Sequence, residues 1–348
     1  MKSALCAGLF VLLGVVAPGM GAELNLYIWS EYIDPDILRD FESQSGLHVN
    51  LSLYESSEEM LAKIQYAGGA SQYDVVVVSN MMIPLMAQLE LLQPLDSTQL
   101  PNLANLDSAF ISPSYDPGNR YSAAYQWGTV GLMYNRGRLP QLDPSWGVLF
   151  EPTRQVGSFI LIDEMRDQLG AALIYLGHSA NSVDAEQVKA AGQLVLAAKK
   201  SRHARGFEAG VGGKNRVAAG TVDMAVVWNG DALRAIDEAA ELDLAYVLPR
   251  EGSMLWADVM AIPGKAPNVD GAHQFINFIL DADVGARLSN YNQYATPNRA
   301  ALPGIDATDR GNPVLYPPAT VMRQLQYQQD VGEHARLYDE VWTAVKAR

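Results

Sequence analysis

The chain has 348 residues and a mass of 37.9 kDa, too long for one small core and short enough for two lobes of ordinary size. Hydrophobic residues make up 49%, charged residues 18% and aromatic residues 9%, which excludes a disordered, collagen-like or coiled-coil protein. The formal net charge of -14 repels phosphate backbones and anionic lipid, so nucleic-acid and membrane-surface roles are disfavoured.

The N-terminus reads as a secretory signal peptide over residues 1–22. Lys2 opens a short cationic start, Ala4 to Val16 is almost uniformly apolar, and Gly19-Met20-Gly21 supplies the small-x-small pattern of a cleavage site. The apolar stretch falls short of the ~20 residues that span a bilayer, and no later stretch is long enough to do so. A periplasmic location follows. The single cysteine, Cys6, lies inside this leader, with Leu5 before it rather than the small residues of a lipidation signal. The mature chain therefore has no disulfide, thiolate metal ligand or thiol nucleophile.

Leu24 to Trp29 is rich in β-formers and predicts a first strand. Pro35, after Asp34, opens a helix with Ile37, Leu38 and Phe41 on its apolar face. Val49 to Tyr54 alternates like a second strand, and Ser56 with Glu59 forms a capping-box pattern before the next helix. Tyr73 to Val78 contains a continuous apolar run, as in a strand buried on both faces of a parallel sheet. The pattern restarts with a strand over Ser158–Ile162, a helix over Asp163–Leu176 ending at Gly177, and a helix over Ala185–Lys200. Asp223–Trp228 is a further buried strand. Tyr246 to Leu248 and Val259 to Ile262 read as strands closed by proline, and Val269–Leu280 and Gly332–Lys346 as helices. Strand–helix alternation in two series predicts two α/β units, with no long Ser/Gly linker between them.

One internal echo stands out. Asp74-Val-Val-Val-Val-Ser79 and Asp223-Met-Ala-Val-Val-Trp228 share an acid, four apolar residues and a residue able to face a ligand at the strand's carboxyl end, where open α/β sheets bind.

Catalytic signatures are missing: there is no G-x-S-x-G and no H-E-x-x-H. In Gly210-Val211-Gly212-Gly213-Lys214-Asn215 the P-loop pattern fails, because Glu208 stands where its first glycine belongs and Asn215 replaces Ser or Thr. A solvent loop is the expected reading. His48, His178, His203, His273 and His334 are scattered without metal-ligand spacing. No cofactor or metal is expected.

What the chain does carry is aromatic rings beside acids. Trp29-Ser30-Glu31-Tyr32 follows the first strand, Trp228-Asn229-Gly230-Asp231 follows a buried strand, and Trp256-Ala257-Asp258 precedes the strand from Val259. Asp163, Glu164 and Asp167 gather at a helix start. Ring faces attract a cationic amine by ~0.5–2 kcal/mol each, and carboxylates add ~1.5–3 kcal/mol per charge-assisted hydrogen bond. Plainer alternatives stand beside this reading. A tryptophan is commonly core, acids at a helix start favour the macrodipole without any ligand, and Asp231 can serve as a helix N-cap.

In these residues the chain resembles the periplasmic substrate-binding proteins of ABC importers for spermidine and putrescine. The resemblance covers essentially the whole mature chain. It rests on Leu26-Tyr27-Ile28-Trp29-Ser30-Glu31-Tyr32, Tyr73 to Ser79, Tyr125 to Asn135, Ser145 to Phe150, Val227 to Asp231, Trp256-Ala257-Asp258, Tyr294 to Asn298 and Gln328 to Gly332. The resemblance implies a two-lobed α/β periplasmic-binding-protein fold with a hinge, each lobe a mixed or parallel sheet flanked by helices. Lobe 1 is expected at 23–127 with 253–297, and lobe 2 at 128–252 with 298–348.

By the same resemblance, Trp29, Tyr32, Trp228, Trp256 and Tyr294 match an aromatic box. Asp258 and Asp231 match the main ammonium-binding carboxylates, Glu164 and Asp167 the acids of the second lobe, and Ser30, Glu31, Ser79 and Gln328 the supporting polar contacts. Met81 departs from the pattern, standing where spermidine binders carry an aromatic, and Asp231 resembles the putrescine type. The expected function is capture of a di- or polyamine, putrescine rather than spermidine, and delivery to a membrane-embedded ABC permease, with a monomer expected. The alternative is an ω-amino acid such as 4-aminobutyrate or 5-aminovalerate, which needs a cationic partner, with Arg166 and Arg299 the candidates if they point inward. An amine-converting enzyme is disfavoured by the lack of a nucleophile–base pair or cofactor fingerprint. A sensor role for a membrane receptor is indistinguishable from transport at this level.

Overall fold

The computed structural model describes residues 23–66 and 72–348; the leader expected over 1–22 lies outside the described residues. Among the described residues there are ten strands: β1 (Glu23–Trp29), β2 (His48–Tyr54), β3 (Val75–Ser79), β4 (Ser122–Asn135), β5 (Phe159–Ile162), β6 (Ala204–Glu208), β7 (Met224–Trp228), β8 (Leu244–Val247), β9 (Ser253–Ala261) and β10 (Leu325–Tyr327). The longer helices among them are α1 (Pro35–Ser45), α2 (Ser57–Tyr66), α3 (Met165–Tyr175), α4 (Ala185–Lys199), α5 (Asn229–Glu238), α6 (Val269–Ile279), α7 (Ala282–Asn292) and α8 (Ala335–Ala347).

The strands form one continuous mixed path in the order β2-β1-β3-β9-β4-β7-β5-β6, with β10 paired to β9 and β8 to β4. Pairings β1·β2, β1·β3, β5·β6 and β5·β7 are parallel, whereas β9 and β4 run antiparallel to their neighbours on this path. The parallel strands are covered by helices, as crossover connections require. All five residues of β3 and all four of β5 are buried, matching their unbroken apolar sequence.

Local chemistry explains the element boundaries. Asp34 caps α1 by accepting the N–H of Asp36, Pro35 fixes its first turn, and Gly46 closes it at φ 73°. Of the expected capping box at α2, one half forms: Ser56 Oγ accepts the N–H of Glu59, while the Glu59 carboxylate takes the N–H of Glu55 instead of that of Ser56. In α6, Phe275 and Ile276 enter the core, and the Phe275 ring meets Phe41 of α1 edge-on at 5.1 Å.

Four strands differ from the sequence reading; two of them, β6 and β10, are short, have no fully buried residue and carry no strand signal. β4 spans fourteen residues and was not marked by a strand signal, since its small residues and glycines break the β-former pattern. β9 starts at Ser253, so Trp256 and Asp258 lie inside a strand rather than before one. β4 changes partners along its length: Ser122–Thr129 pairs with β9 and Val130–Tyr134 with β7.

The echoed acids have structural roles. Asp74 accepts the backbone N–H of Asn25 at 2.7 Å, the Asn25 amide at 2.8 Å and the N–H of Asn268 at 2.6 Å, tying the entrance of β3 to β1 and to the start of α6. Asp223 does the same for β7, accepting the N–H and hydroxyl of Ser158 at 2.7 Å each. The acids clamp the amino ends of both strands and leave Ser79 and Trp228 at the carboxyl ends. Among the described residues no helix is long and apolar enough to cross a membrane.

Candidate functional site

The carboxyl ends of β1, β3, β5, β6 and β7 converge on one cavity, together with the middle of β9. Its atom-free space, counting the part open to solvent, is about 540 Å³. Its walls are Trp29, Ser30, Tyr32, Ser57, Ser79, Met81, Glu164, Asp167, Gly210, Val211, Trp228, Asp231, Trp256, Asp258, Tyr294 and Gln328. Strand direction explains the assembly. In parallel units, chain leaving each strand turns over the same edge of the sheet. The antiparallel register of β3 and β9 sets Ser79 opposite Asp258, and period-two alternation puts Trp256 on the same face of β9 as Asp258.

The five rings line the cavity in two groups. Trp29 and Trp228 meet at 5.6 Å between centroids, Tyr32 and Tyr294 at 5.3 Å, and Trp256 and Tyr294 at 5.3 Å, all near edge-to-face. Two glycines make the box possible. A Cβ on Gly128 would lie 2.5 Å from the Trp256 ring, and one on Gly230 would lie 2.5 Å from the Tyr294 ring.

Four carboxylates share the cavity. Asp167 accepts the Trp228 indole N–H at 2.8 Å and the Gln328 amide at 2.5 Å; burial pushes it up to about 6 against those donors and Arg166. Burial raises Asp231 to about 6, opposed by Lys214, the Tyr294 hydroxyl and Arg234. It raises Asp258 to about 7; the facing Tyr32 hydroxyl, which is not in full hydrogen-bonding contact, pulls it back, and Asp167 adds to the rise. Glu164 is held well above the usual carboxylate range by burial and by Glu58 and Asp167, while its Oε2 accepts the Ser57 N–H at 3.3 Å.

A cluster of dehydrated acids that resist ionisation when alone is suited to a guest bringing positive charge, since the guest supplies the missing counter-charge. Among the described residues Ser79 Oγ, the Tyr32 hydroxyl and the indole N–H groups of Trp29 and Trp256 find no hydrogen-bond partner. No Lys, Arg or His is among the residues lining the cavity.

Twelve of the thirteen residues expected from the sequence line this one cavity; Glu31 does not. Its carboxylate turns away into an ion pair with Lys214 at 2.6 Å, with Arg234 at 3.8 Å. Asp231 is not an N-cap either: it lies in the first turn of α5, whose cap is Trp228, and its N–H donates to the Tyr294 hydroxyl at 3.3 Å. Sequence reading missed Ser57, Gly210 and Val211 as wall residues. The stretch expected as a solvent loop has Gly210 and Val211 in the wall and continues as a helix over Gly212–Ala218, with Lys214 buried. Neither candidate arginine lines the cavity. Arg166 spends its guanidinium on the Gln329 carbonyl and Asn181, and Arg299 faces a separate hollow beside Trp127 and Tyr316. Among the described residues no group of His, Cys, Asp and Glu is placed to hold a metal ion.

Comparison with known proteins agrees with this architecture. The family profile described as bacterial extracellular solute-binding protein matches residues 36–312. The spermidine/putrescine-binding periplasmic protein of Escherichia coli K12 is 33% identical over 343 residues, covering 96% of each chain. A putrescine/cadaverine-binding protein of Pseudomonas aeruginosa is 34% identical over 337 residues, covering 94% of each. The solved structure of the spermidine/putrescine ABC transporter substrate-binding protein of Streptococcus pneumoniae superposes with a TM-score of 0.75 at 30% identity, covering 94% of this chain and 99% of that one.

Proposed function

The chain belongs to the bacterial extracellular solute-binding proteins, in the branch of the spermidine/putrescine-binding periplasmic proteins, and on that premise we propose that it captures a diamine, putrescine in preference to spermidine, and hands it to an ABC permease. Members of this family are transport receptors and not enzymes. The observation that carries the ligand class is the lining of the cavity: four carboxylates and five aromatic rings with no cationic side chain among them. Ammonium ends pair with the acids while the methylene stem lies against the rings. An ω-amino acid would leave its own carboxylate facing Asp and Glu, so the lining supports diamine over 4-aminobutyrate or 5-aminovalerate.

The bound diamine would be enclosed by closure of two lobes, 23–127 with 253–297 and 128–252 with 298–348. The change of partner within β4 supports a crossing near residue 128. Packing of the Arg299–Gly304 turn against α7, with the Asn298 amide on the Leu280 carbonyl, supports an edge of the first lobe slightly beyond 297. Export through the residue 1–22 leader, a periplasmic location and a monomeric state complete the reading.

Titration calorimetry of the mature protein with putrescine, cadaverine, spermidine and 4-aminobutyrate tests it. Saturable one-to-one binding of putrescine, with no heat from 4-aminobutyrate, is expected. Binding of the amino acid and not of any diamine would reverse the assignment. Loss of labelled putrescine uptake on deletion of the gene separates transport from sensing.

A further inference from the structure

Glu31 and Lys214 form a built feature that the box of rings and acids does not account for. Glu31 sits at the turn after β1 with φ 53°, a left-handed conformation that costs a non-glycine residue about 1–2 kcal/mol unless its surroundings hold it. Lys214 comes from the helix that begins at Gly212, 183 residues away, and its side chain is 3% exposed. Its ammonium meets Glu31 Oε2 at 2.6 Å, and Arg234 approaches the same oxygen at 3.8 Å. Burying a lysine is unfavourable without a paired anion, so the strained turn and the buried cation hold each other in place. Ser30 precedes Glu31 and Val211 lies three residues before Lys214; both are in the cavity wall, as is Asp231. The field of Lys214 also reaches Asp231, where it favours the ionised carboxylate.

We infer that Lys214 is a resident ammonium that limits the length of the guest: by neutralising Glu31 beside the cavity it removes the carboxylate a third ligand amine would need. Glu31 is paired by Lys214, with Arg234, itself held by Glu238 at 2.8 Å, farther off, and both cations favour the ionised form of Asp231. The acids left to pair with the guest are Asp258 and Asp167; Glu164, held well above the usual carboxylate range by burial and by Glu58 and Asp167, resists supplying a third charge. A diamine brings two charges to them. A triamine brings a third, which would meet the charge of Lys214 instead of a free carboxylate and would be left dehydrated and uncompensated.

This rests on the amine-receptor reading, and the experiment separates the two. Calorimetry with putrescine and spermidine is run on the wild type and on Lys214→Met, which keeps the apolar stem and removes the charge. The wild type is expected to favour putrescine, and the variant to raise the spermidine-to-putrescine affinity ratio by about tenfold or more. A folded variant with an unchanged ratio overturns the role of Lys214 and leaves the receptor reading intact, as does a wild type that binds both amines equally. A wild type that binds neither amine overturns the receptor reading itself. Should Lys214→Met fail to fold, Glu31→Gln gives the converse: an unneutralised Lys214 lowers the same ratio. An unchanged or raised ratio in that variant overturns the inference.

Discussion

Trp228 donates its indole N–H to Asp167 Oδ2 at 2.8 Å, so that a ring of the box and an acid of the cavity orient one another. The Gln328 amide takes the other oxygen of Asp167. The carboxylate is therefore fixed on two sides, and the ring is tied into the cavity wall. Preorganisation of this kind removes the entropy that would otherwise be lost when the guest arrives.

Trp228→Phe keeps an aromatic face and removes the N–H. Asp167 then loses one of the donors that hold it below the value burial alone would impose, and the ring can tilt. Putrescine affinity is expected to fall by about tenfold, the effect of one hydrogen bond to a charged group. Trp228→Ala removes the face as well, and a further loss of up to about thirtyfold follows from a cation–π contact. Calorimetric titration of the three proteins after removal of any co-purified amine checks the order.

Asp258→Asn tests the central acid. The substitution keeps size and polarity but cannot compensate an ammonium, and the neighbouring rings supply only part of the lost attraction. Putrescine affinity is expected to drop by about ten- to a hundredfold. Thermal stability of the ligand-free protein should hold or rise, because a buried carboxylate that resists ionisation is replaced by a neutral amide. Wild-type affinity in a folded variant would show that the ammonium is held elsewhere.

The acids also set a pH dependence. In the ligand-free protein Asp258 stands at about 7, and Asp167 and Asp231 at about 6, all raised from the ordinary range near 4 by burial. A cation binds the ionised forms, so affinity should rise from pH 5 to pH 8 and binding should release protons. Calorimetry in buffers of different ionisation heat measures that release. For folding, the sign is the reverse of an ordinary salt-bridged acid. The native state holds more protons than the unfolded chain between about pH 4 and 7, so these three groups contribute most at low pH, and the contribution is lost as pH rises through their native values. The difference in thermal midpoint between wild type and Asp258→Asn should therefore grow toward pH 8, and putrescine should close it. Proton uptake on binding would contradict the scheme.

How much of this was legible in the sequence depends on where each residue sits. Ser79 and Trp228 end buried apolar runs, and a strand that is apolar throughout has one solvent-facing place left, its carboxyl end. The echoed acids at the other ends of the same strands, Asp74 and Asp223, prove to be clamps; a residue type alone does not tell a ligand carboxylate from one that caps backbone N–H groups. Asp258 was found by its neighbour Trp256, although their strand was misjudged, because the period-two pattern of β9 is masked by burial on both faces. Ser57, Gly210 and Val211 enter the wall through turns with no chemical signature. The Glu31–Lys214 pair spans 183 residues, and nothing local in either segment announces the other.

The clamp at the amino end of β3 supplies a prediction that separates fold from function. Asp74 is fully buried and accepts three hydrogen bonds, two from Asn25 and one from the N–H of Asn268, so it links β1, β3 and the cap of α6 through one carboxylate. Asp74→Ala leaves the backbone N–H of Asn25 and of Asn268 without acceptors, at about 1–3 kcal/mol each. The expected loss is about 3 kcal/mol, a large share of the ~5–15 kcal/mol available to a typical domain. Thermal unfolding should show a lowered midpoint. Ser79 lies five residues farther along β3, and the register with β9 is fixed by pairs from Val76 to Ser79, none of which involves Asp74. Protein that remains folded at low temperature should therefore bind putrescine within about threefold of the wild type, a change of under 1 kcal/mol. A large drop in affinity at full folding would mean that the clamp positions the cavity and does not merely hold the sheet.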